Sequence, residues 1–339
     1  MTDIPDINPD INRIAVLGAG AWGTALALVA ARAGRPTLLW AREPELADEI
    51  NTHHRNSLFL PDIPLDVSVR ATHDLSETAG ADALLLVAPA QHVRSVVAEL
   101  APALKPGVPL VICAKGIEQE SNLLMSQVIA EIAPHVTPAV LSGPSFAADV
   151  ARGLPTALTL ACADAGLGAA LTKAIGQVSF RPYWSDDLIG AQIGGALKNV
   201  LAIACGIVEG KQFGDSARAA LTTRGFSEMS RLGQALGGAQ ETLAGLSGLG
   251  DLILTCTSRQ SRNMSLGLAL GQGQTLDDIL GARRSVSEGV HTATVIRSLA
   301  RTHKLDLPIC EAVADIVTGK VTVDDAITAL LARPFTKET

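Results

Sequence analysis

Positive charge is scarce in this chain, and the scarcity excludes a set of partners. Lysine and arginine total 27 against 34 aspartate and glutamate, a formal net charge of −7. No broad basic field is available to hold nucleic acid or an anionic membrane, so neither is expected as a partner. Any anion bound here must sit on a local cluster of positive groups. Cysteine is also scarce: Cys113, Cys162, Cys205, Cys256 and Cys310 are scattered and odd in number. That pattern excludes a disulfide scaffold and predicts a reducing, cytoplasmic setting. The seven histidines show no metal-ligand spacing, so no metal is expected. No run reaches the roughly 18 consecutive apolar residues of a membrane span. The opening MTDIPDINPD has neither the positive nor the apolar region of a secretory signal.

What is present describes a globular protein. The hydrophobic fraction is 47% and the charged fraction 18% over 339 residues, enough for two domains with a sizeable core in each. Apolar runs at Ile14–Leu17, Thr37–Trp40, Ala83–Val87, Leu110–Cys113 and Ala139–Leu141 alternate with helical patterns at Thr24–Ala33, Val93–Leu100 and Leu123–Ile132. Continuously apolar strands separated by helices predict a mostly parallel sheet covered on both faces. Runs near Ala157–Ala161 and Ser179–Tyr183 extend it. After Asp187 small and aliphatic residues at helical spacing take over, through Gly190–Gly210, Ala217–Leu236, Arg262–Leu270 and Thr292–Leu299. We therefore expect an α/β Rossmann-type domain over 1–187 and an all-α domain over 188–339.

The first strand runs directly into Gly18-Ala19-Gly20-Ala21-Trp22-Gly23, a G-x-G-x-x-G between strand and helix. Gly18 permits the tight turn, Gly20 lets a pyrophosphate approach the backbone, and Gly23 lets helix and sheet pack closely. The phosphates then face the free N–H groups and positive dipole end of the helix. At the end of the second strand, where an NAD-selective site usually carries an acid, stands Arg42. A guanidinium there suits the 2′-phosphate of NADP(H); the competing reading is a solvated surface arginine.

Lys198 rises from a face whose helical neighbours are Gly194, Gly195, Leu201 and Ala202. Two readings stand: the missing bulk leaves room for a ligand beside a poorly hydrated amine, or it lets two helices pack closely while Lys198 reaches for water. Lys115 follows a buried strand, at the edge where open α/β sheets bind ligands. Gly143 and Ser145 form a tight loop after another strand. Asp251 and the Ser258–Asn263 segment flank a short apolar stretch, with Ser261 expected to cap a helix whose first turn holds Arg262 and Asn263.

These segments together closely resemble bacterial NAD(P)-dependent glycerol-3-phosphate dehydrogenase. The matching strings are GAGAWGTALA from Gly18, AKGIE from Ala114, SGPSFAADVARGLPTA from Ser142 and LKNVLAIACGIVEG from Leu197. Further along come AALTTRGFSEM from Ala219, GLSGLGDLILTCTSRQSRN from Gly245 and SEGVHTA from Ser287. They run in order over residues 14 to 293. The resemblance implies reversible NAD(P)H-dependent reduction of dihydroxyacetone phosphate to sn-glycerol 3-phosphate, feeding phospholipid synthesis, with NADP(H) and/or NAD(H) as cofactor. The small-residue faces of the helical half suit a homodimer.

Carried over position by position, it implies Lys198 as proton donor and acceptor, with Lys115 and Asp251 beside it. Substrate would lie against Lys115, Gly143, Ser145, Lys198, Asp251, Ser261, Arg262 and Asn263. Cofactor would touch Gly18, Gly20, Trp22, Gly23, Arg42, Lys115, Ala147, Arg262, Val286 and Glu288. Asp149, Ser216 and Ser287 depart from the family pattern without removing a group the reaction requires. Asp251 either orients Lys198 or binds substrate directly. A dehydrogenase of similar build acting on a hydroxyacid, and a non-catalytic dinucleotide sensor, are the rival readings.

Overall fold

Short apolar strands and a long glycine-bearing helix organise this protein. Its structure, a computed structural model, describes residues 10–281, 288–335 and 337. The chain opens with β1 (Ile14–Leu17), α1 (Ala21–Arg32), β2 (Thr37–Trp40), α2 (Pro44–His53) and β3 (Val69–Thr72). Next come β4 (Ala83–Leu86), α3 (Val93–Leu100), β5 (Pro109–Ile112), α4 (Met125–Ile132) and β6 (Thr137–Ser142). The first half closes with α5 (Ala147–Ala151), β7 (Thr156–Ala161), α6 (Ala165–Ile175) and β8 (Phe180–Ser185). Eight strands form one sheet in the order β3-β2-β1-β4-β5-β6-β7-β8. The six strands β1 to β6 run parallel, and only the β6–β7 pairing is antiparallel.

Both faces of the sheet are covered, as the uninterrupted apolar runs require. Val16, Leu85 and Val111 point into one core; their strand neighbours Leu17, Leu84, Leu86, Leu110 and Ile112 point into the other. Each fully buried leucine or isoleucine contributes about 1.5–3 kcal/mol relative to exposure, so these strands are fixed by burial from both sides. Strand β1 lies between β2 and β4, so the chain order reverses there. Open α/β sheets bind ligands at the carboxyl ends of the strands beside such a reversal.

β3 and α2 did not stand out in the sequence. β3 reads Val-Arg-Ala-Thr, with an exposed arginine between buried neighbours, so its apolar signal is brief. α2 begins on Glu43 with Pro44 at its first position and buries only Leu46, Ala47 and Ile50.

The second half is helical among the described residues: α7 (Leu188–Gly210), α8 (Gly214–Ala235), α9 (Gln240–Ala244), α10 (Asp251–Thr257) and α11 (Arg262–Gly271), then α12 (Leu276–Gly281), α13 (Glu288–Thr302), α14 (Pro308–Val317) and α15 (Val323–Leu331). α7 is long and apolar enough to cross a membrane, but it is almost entirely buried within the protein and serves as the axis of this half. Because β7 turns the chain back, β8 delivers α7 to the edge of the sheet opposite the glycine turn. The 10 residues from Leu188 to Lys198 then climb about 15 Å of helix, roughly one strand length, back to the ligand edge.

α11 crosses α7 with almost no side chain between them. A Cβ on Gly267 would overlap the Ile203 carbonyl, and one on Gly206 would overlap the Met264 carbonyl. This approach seats the start of α11 beside Asn199.

Candidate active site

Two lysines from different halves converge on one carboxylate. Lys115 follows β5 and Lys198 lies on the third turn of α7. The Lys198 Nζ donates to Asp251 Oδ1 at 2.7 Å, and the Lys115 Nζ donates to Asp251 Oδ2 at 2.6 Å. Lys198 also donates to Thr255 Oγ1 at 3.0 Å, and Lys115 to the Gly143 carbonyl at 2.9 Å. Asp251 is 1% exposed and Lys198 8%. With both amines protonated, two positive charges face one negative charge, so the cluster holds one positive charge in excess. That is the local positive centre an acidic protein needs in order to bind an anion.

Local structure explains the convergence. Leu246–Gly250 form a π-helical turn, with the Gly250 N–H bonded to the Gly245 carbonyl at 3.0 Å, and α10 starts on Asp251 directly after it. Such turns shift the register of the following side chains. Gly194 admits this turn against α7, since a Cβ there would overlap the Ser247 carbonyl. A Cβ on Gly195 would come within 2.8 Å of Ser142 Oγ and 3.4 Å of Lys115 Cγ. The small face around Lys198 is therefore filled by close packing. The π-turn and the Lys115 stem lie against Gly194 and Gly195, so these glycines serve close packing. The reading in which Lys198 reaches for water is corrected: its amine ends in a buried ion pair.

Burial pushes the Lys198 amine down to about 8, with the Asp251 charge opposing the shift and the Lys115 charge adding to it. An amine poised there exchanges a proton near neutral pH.

Around this centre stands a second tier of amides. Asn199 donates to the Lys115 carbonyl at 3.3 Å, and Asn263 donates to Asn199 Oδ1 at 2.9 Å. Asn263 Oδ1 in turn accepts from the Gly289 N–H at 3.1 Å. Ser261 caps α11, accepting from the Met264 N–H at 3.2 Å, which puts exposed Arg262 and buried Asn263 in the first turn. Gly143 takes a φ of +151°, a Cβ there would come within 2.9 Å of Leu158 Cα, and Ser145 donates to the Gly143 carbonyl at 3.1 Å.

On the sheet side, Gly18 has φ +121°, and a Cβ on Gly23 would overlap the Gly18 carbonyl. A Cβ on Gly20 would meet nothing within 4 Å, so its backbone is open to a ligand. α1 has no side-chain cap hydrogen bond at Gly20. These features fit a pyrophosphate on the helix start. Among the described residues, the buried Trp22 Nε1 and Glu288 Oε2 have no hydrogen-bond partner.

Glu288 opens α13 and accepts from the Ala90 N–H at 3.3 Å, beside Gly116. Burial raises its carboxyl, opposed by the Ala90 N–H and the charge of Arg262. Glu288 and Ala147, the first residue of α5, thus lie on elements bordering the ligand edge. Arg42 stands two residues past β2, largely exposed and paired with Glu43 at 3.0 Å. Val286 and Ser287 lie outside the described residues.

Sequence reasoning missed Thr255 and Asn199. Thr255 lies one helical turn after Asp251, and Asn199 is adjacent to Lys198; spacing was their only signal.

A glycine turn at a sheet reversal, with a buried lysine of the helical half tied to the same edge of the sheet, defines a dinucleotide-dependent oxidoreductase. The N-terminal family model of NAD-dependent glycerol-3-phosphate dehydrogenase matches residues 13–167, and the C-terminal model matches residues 187–328. The chain belongs to that family. It is 67% identical over 327 residues to NAD(P)+ glycerol-3-phosphate dehydrogenase of Parvibaculum lavamentivorans, covering 96% of this chain and 98% of the relative. Identity to the Maricaulis maris enzyme of the same name is 60% over 326 residues, with the same coverage. The crystal structure of glycerol-3-phosphate dehydrogenase from Coxiella burnetii superposes with a TM-score of 0.91 at 39% identity, covering 96% of this chain and 100% of that one.

Proposed function

We propose that this protein catalyses the reversible, NAD(P)H-dependent reduction of dihydroxyacetone phosphate to sn-glycerol 3-phosphate, in service of phospholipid synthesis. The observation that carries the reading is the Lys198–Asp251–Lys115 cluster, built from both halves at the carboxyl edge of the sheet. The dinucleotide supplies or accepts the hydride. The protein's own groups manage the charge and the proton. In reduction, the Lys198 ammonium donates a hydrogen bond to the substrate carbonyl oxygen as it becomes negative, then transfers a proton to it. In oxidation the neutral Lys198 amine takes the proton from the hydroxyl.

Both Asp251 oxygens are engaged by lysines. We therefore assign Asp251 to orienting Lys198 and Lys115 rather than to binding substrate. Thr255 fixes the Lys198 amine from the other side. Lys115 stabilises the same developing charge. Arg262 and Ser261, at the start of α11, with Gly143, Ser145 and Asn263, hold the phosphorylated end, and that remote binding places the reacting carbon. Gly18, Gly20, Gly23 and Trp22 receive the pyrophosphate end of the cofactor; Arg42 faces its adenosine ribose; Ala147, Val286 and Glu288 complete its pocket. Glu43 competes with a 2′-phosphate for Arg42, which favours use of both NADPH and NADH.

Residues 1–187 act as the dinucleotide half and 188–339 as the substrate half. The protein is assigned to the cytoplasm, in keeping with five free, buried cysteines. The working form is assigned as a homodimer, which sedimentation velocity would check. The small-residue faces that suggested it are taken up inside the subunit, between α7 and α11.

The deciding assay follows NADPH oxidation with dihydroxyacetone phosphate present and absent, beside a panel of 2-ketoacids. Turnover of the ketoacids alone would transfer the reading to a hydroxyacid dehydrogenase. Dinucleotide binding with no turnover of any substrate would favour a sensor.

A further inference from the structure

A fully buried polar side chain of the first half, 37 positions from Ala19 in the chain, is aimed at the glycine turn. Asn56 lies in the connection between α2 and β3 and is 0% exposed. Its Nδ2 donates to the Ala19 carbonyl at 2.8 Å and to Thr24 Oγ1 at 2.8 Å. Its Oδ1 accepts from the Phe59 N–H at 3.0 Å. Thr24 Oγ1 also donates to the Ala19 carbonyl, at 3.3 Å. The carbonyl between Gly18 and Gly20 is thus held inward by two donors, one from α1 and one from a distant loop.

That grip has a chemical consequence one bond away. The described chain has no cis peptide bonds, and in a trans peptide the carbonyl and the following N–H point in opposite directions. Drawing the Ala19 oxygen inward turns the Gly20 N–H the opposite way, at a residue that is itself open, since a Cβ on Gly20 would meet nothing within 4 Å. Were the plane reversed, a carbonyl oxygen would face the phosphates and repel them. A packing role alone would not require an amide here; burying its polar atoms costs free energy that only hydrogen bonds recover.

We propose that Asn56, with Thr24, is the positioning residue that sets the glycine-turn peptide for pyrophosphate binding. The proposal rests on the dinucleotide reading given above. Asn56 touches no ligand itself; it acts through the Ala19–Gly20 peptide.

The test uses the full chain and two probes, NADPH and adenosine 2′-monophosphate, which lacks a pyrophosphate. Asn56→Asp keeps the shape but replaces the donor with an oxygen facing the Ala19 carbonyl. NADPH affinity should fall by about tenfold or more, the scale of a lost buried hydrogen bond plus an unfavourable contact. Adenosine 2′-monophosphate affinity should stay within about twofold, and kcat at saturating NADPH within about threefold, leaving the change in the Michaelis constant for NADPH. Thr24→Val, a smaller lesion, should shift NADPH in the same direction by about threefold and serves should Asn56→Asp fail to fold. Unchanged NADPH affinity in folded variants, or equal loss of both probes, overturns the proposal. Wild-type protein that binds no NADPH overturns the dinucleotide reading itself, a separate result.

Discussion

The Lys198 amine and the Asp251 carboxylate meet at 2.7 Å in a site from which water is nearly excluded. The amine depends on the carboxylate, which Lys115 shares from the other side. Removing Asp251 would leave the Lys198 and Lys115 amines without their shared counter-charge, at a cost of about 3–5 kcal/mol. The pair is therefore a unit, and its perturbation should appear in rate, pH dependence and stability together.

Lys198→Ala should lower turnover by about 100-fold or more, the range of a lost general acid or base. NADPH binding, measured by fluorescence titration, should be unchanged, because the glycine turn is on the other half. Near-normal kcat in a folded variant would remove Lys198 from the reaction.

The depressed Lys198 pKa of about 8 fixes the sign of the pH profiles. Reduction needs the ammonium, so kcat/KM for dihydroxyacetone phosphate should fall as pH rises through about 8. Oxidation needs the neutral amine, so kcat/KM for glycerol 3-phosphate should rise through the same region. Two parallel profiles would assign the titration to another group.

Asp251→Asn removes the charge that opposes the effect of burial on Lys198. The amine should lose its proton more readily, and the falling limb of the reductive profile should move to lower pH. Chemical denaturation should register a loss of about 3 kcal/mol, the lower end for breaking a buried pair. A profile that stays in place would mean that Asp251 does not set the state of Lys198.

The two arginines should separate by ligand. Arg262→Ala, at the first turn of α11, should raise the Michaelis constant for dihydroxyacetone phosphate by about tenfold or more, as expected for a charge-assisted phosphate contact. Arg42→Asp should weaken NADPH by more than it weakens NADH. Equal losses for both nucleotides would show that Arg42 does not read the 2′-phosphate.

Much of this was readable in the residues, and the unreadable part has a common cause. The strands from Ile14, Thr37, Ala83, Leu110 and Ala139 declared themselves because burial on both faces demands unbroken apolar runs. The cap at Ser261 was legible because a cap is local chemistry. β3 was not, since four residues with an exposed arginine carry too little periodicity. The face around Lys198 was open to two readings for a different reason. Gly194 and Gly195 say that something approaches closely; only the fold says that it is the Leu246–Gly250 turn and the stem of Lys115. Asn56 and Thr24 are 32 positions apart, and no local pattern links an asparagine after one helix to a carbonyl before another.

Lys115 belongs to the sheet and Asp251 to the helical half, so their ion pair stitches the seam between them. The surroundings of the Lys198 amine thereby depend on how the two lobes are seated against each other. A substitution far from the reacting atoms that tilts one lobe by an ångström would strip Lys198 of a correctly placed counter-ion. In a kinetic assay it would look like damage to the chemistry itself. Apparent catalytic lesions along that seam are therefore best read first as errors of alignment.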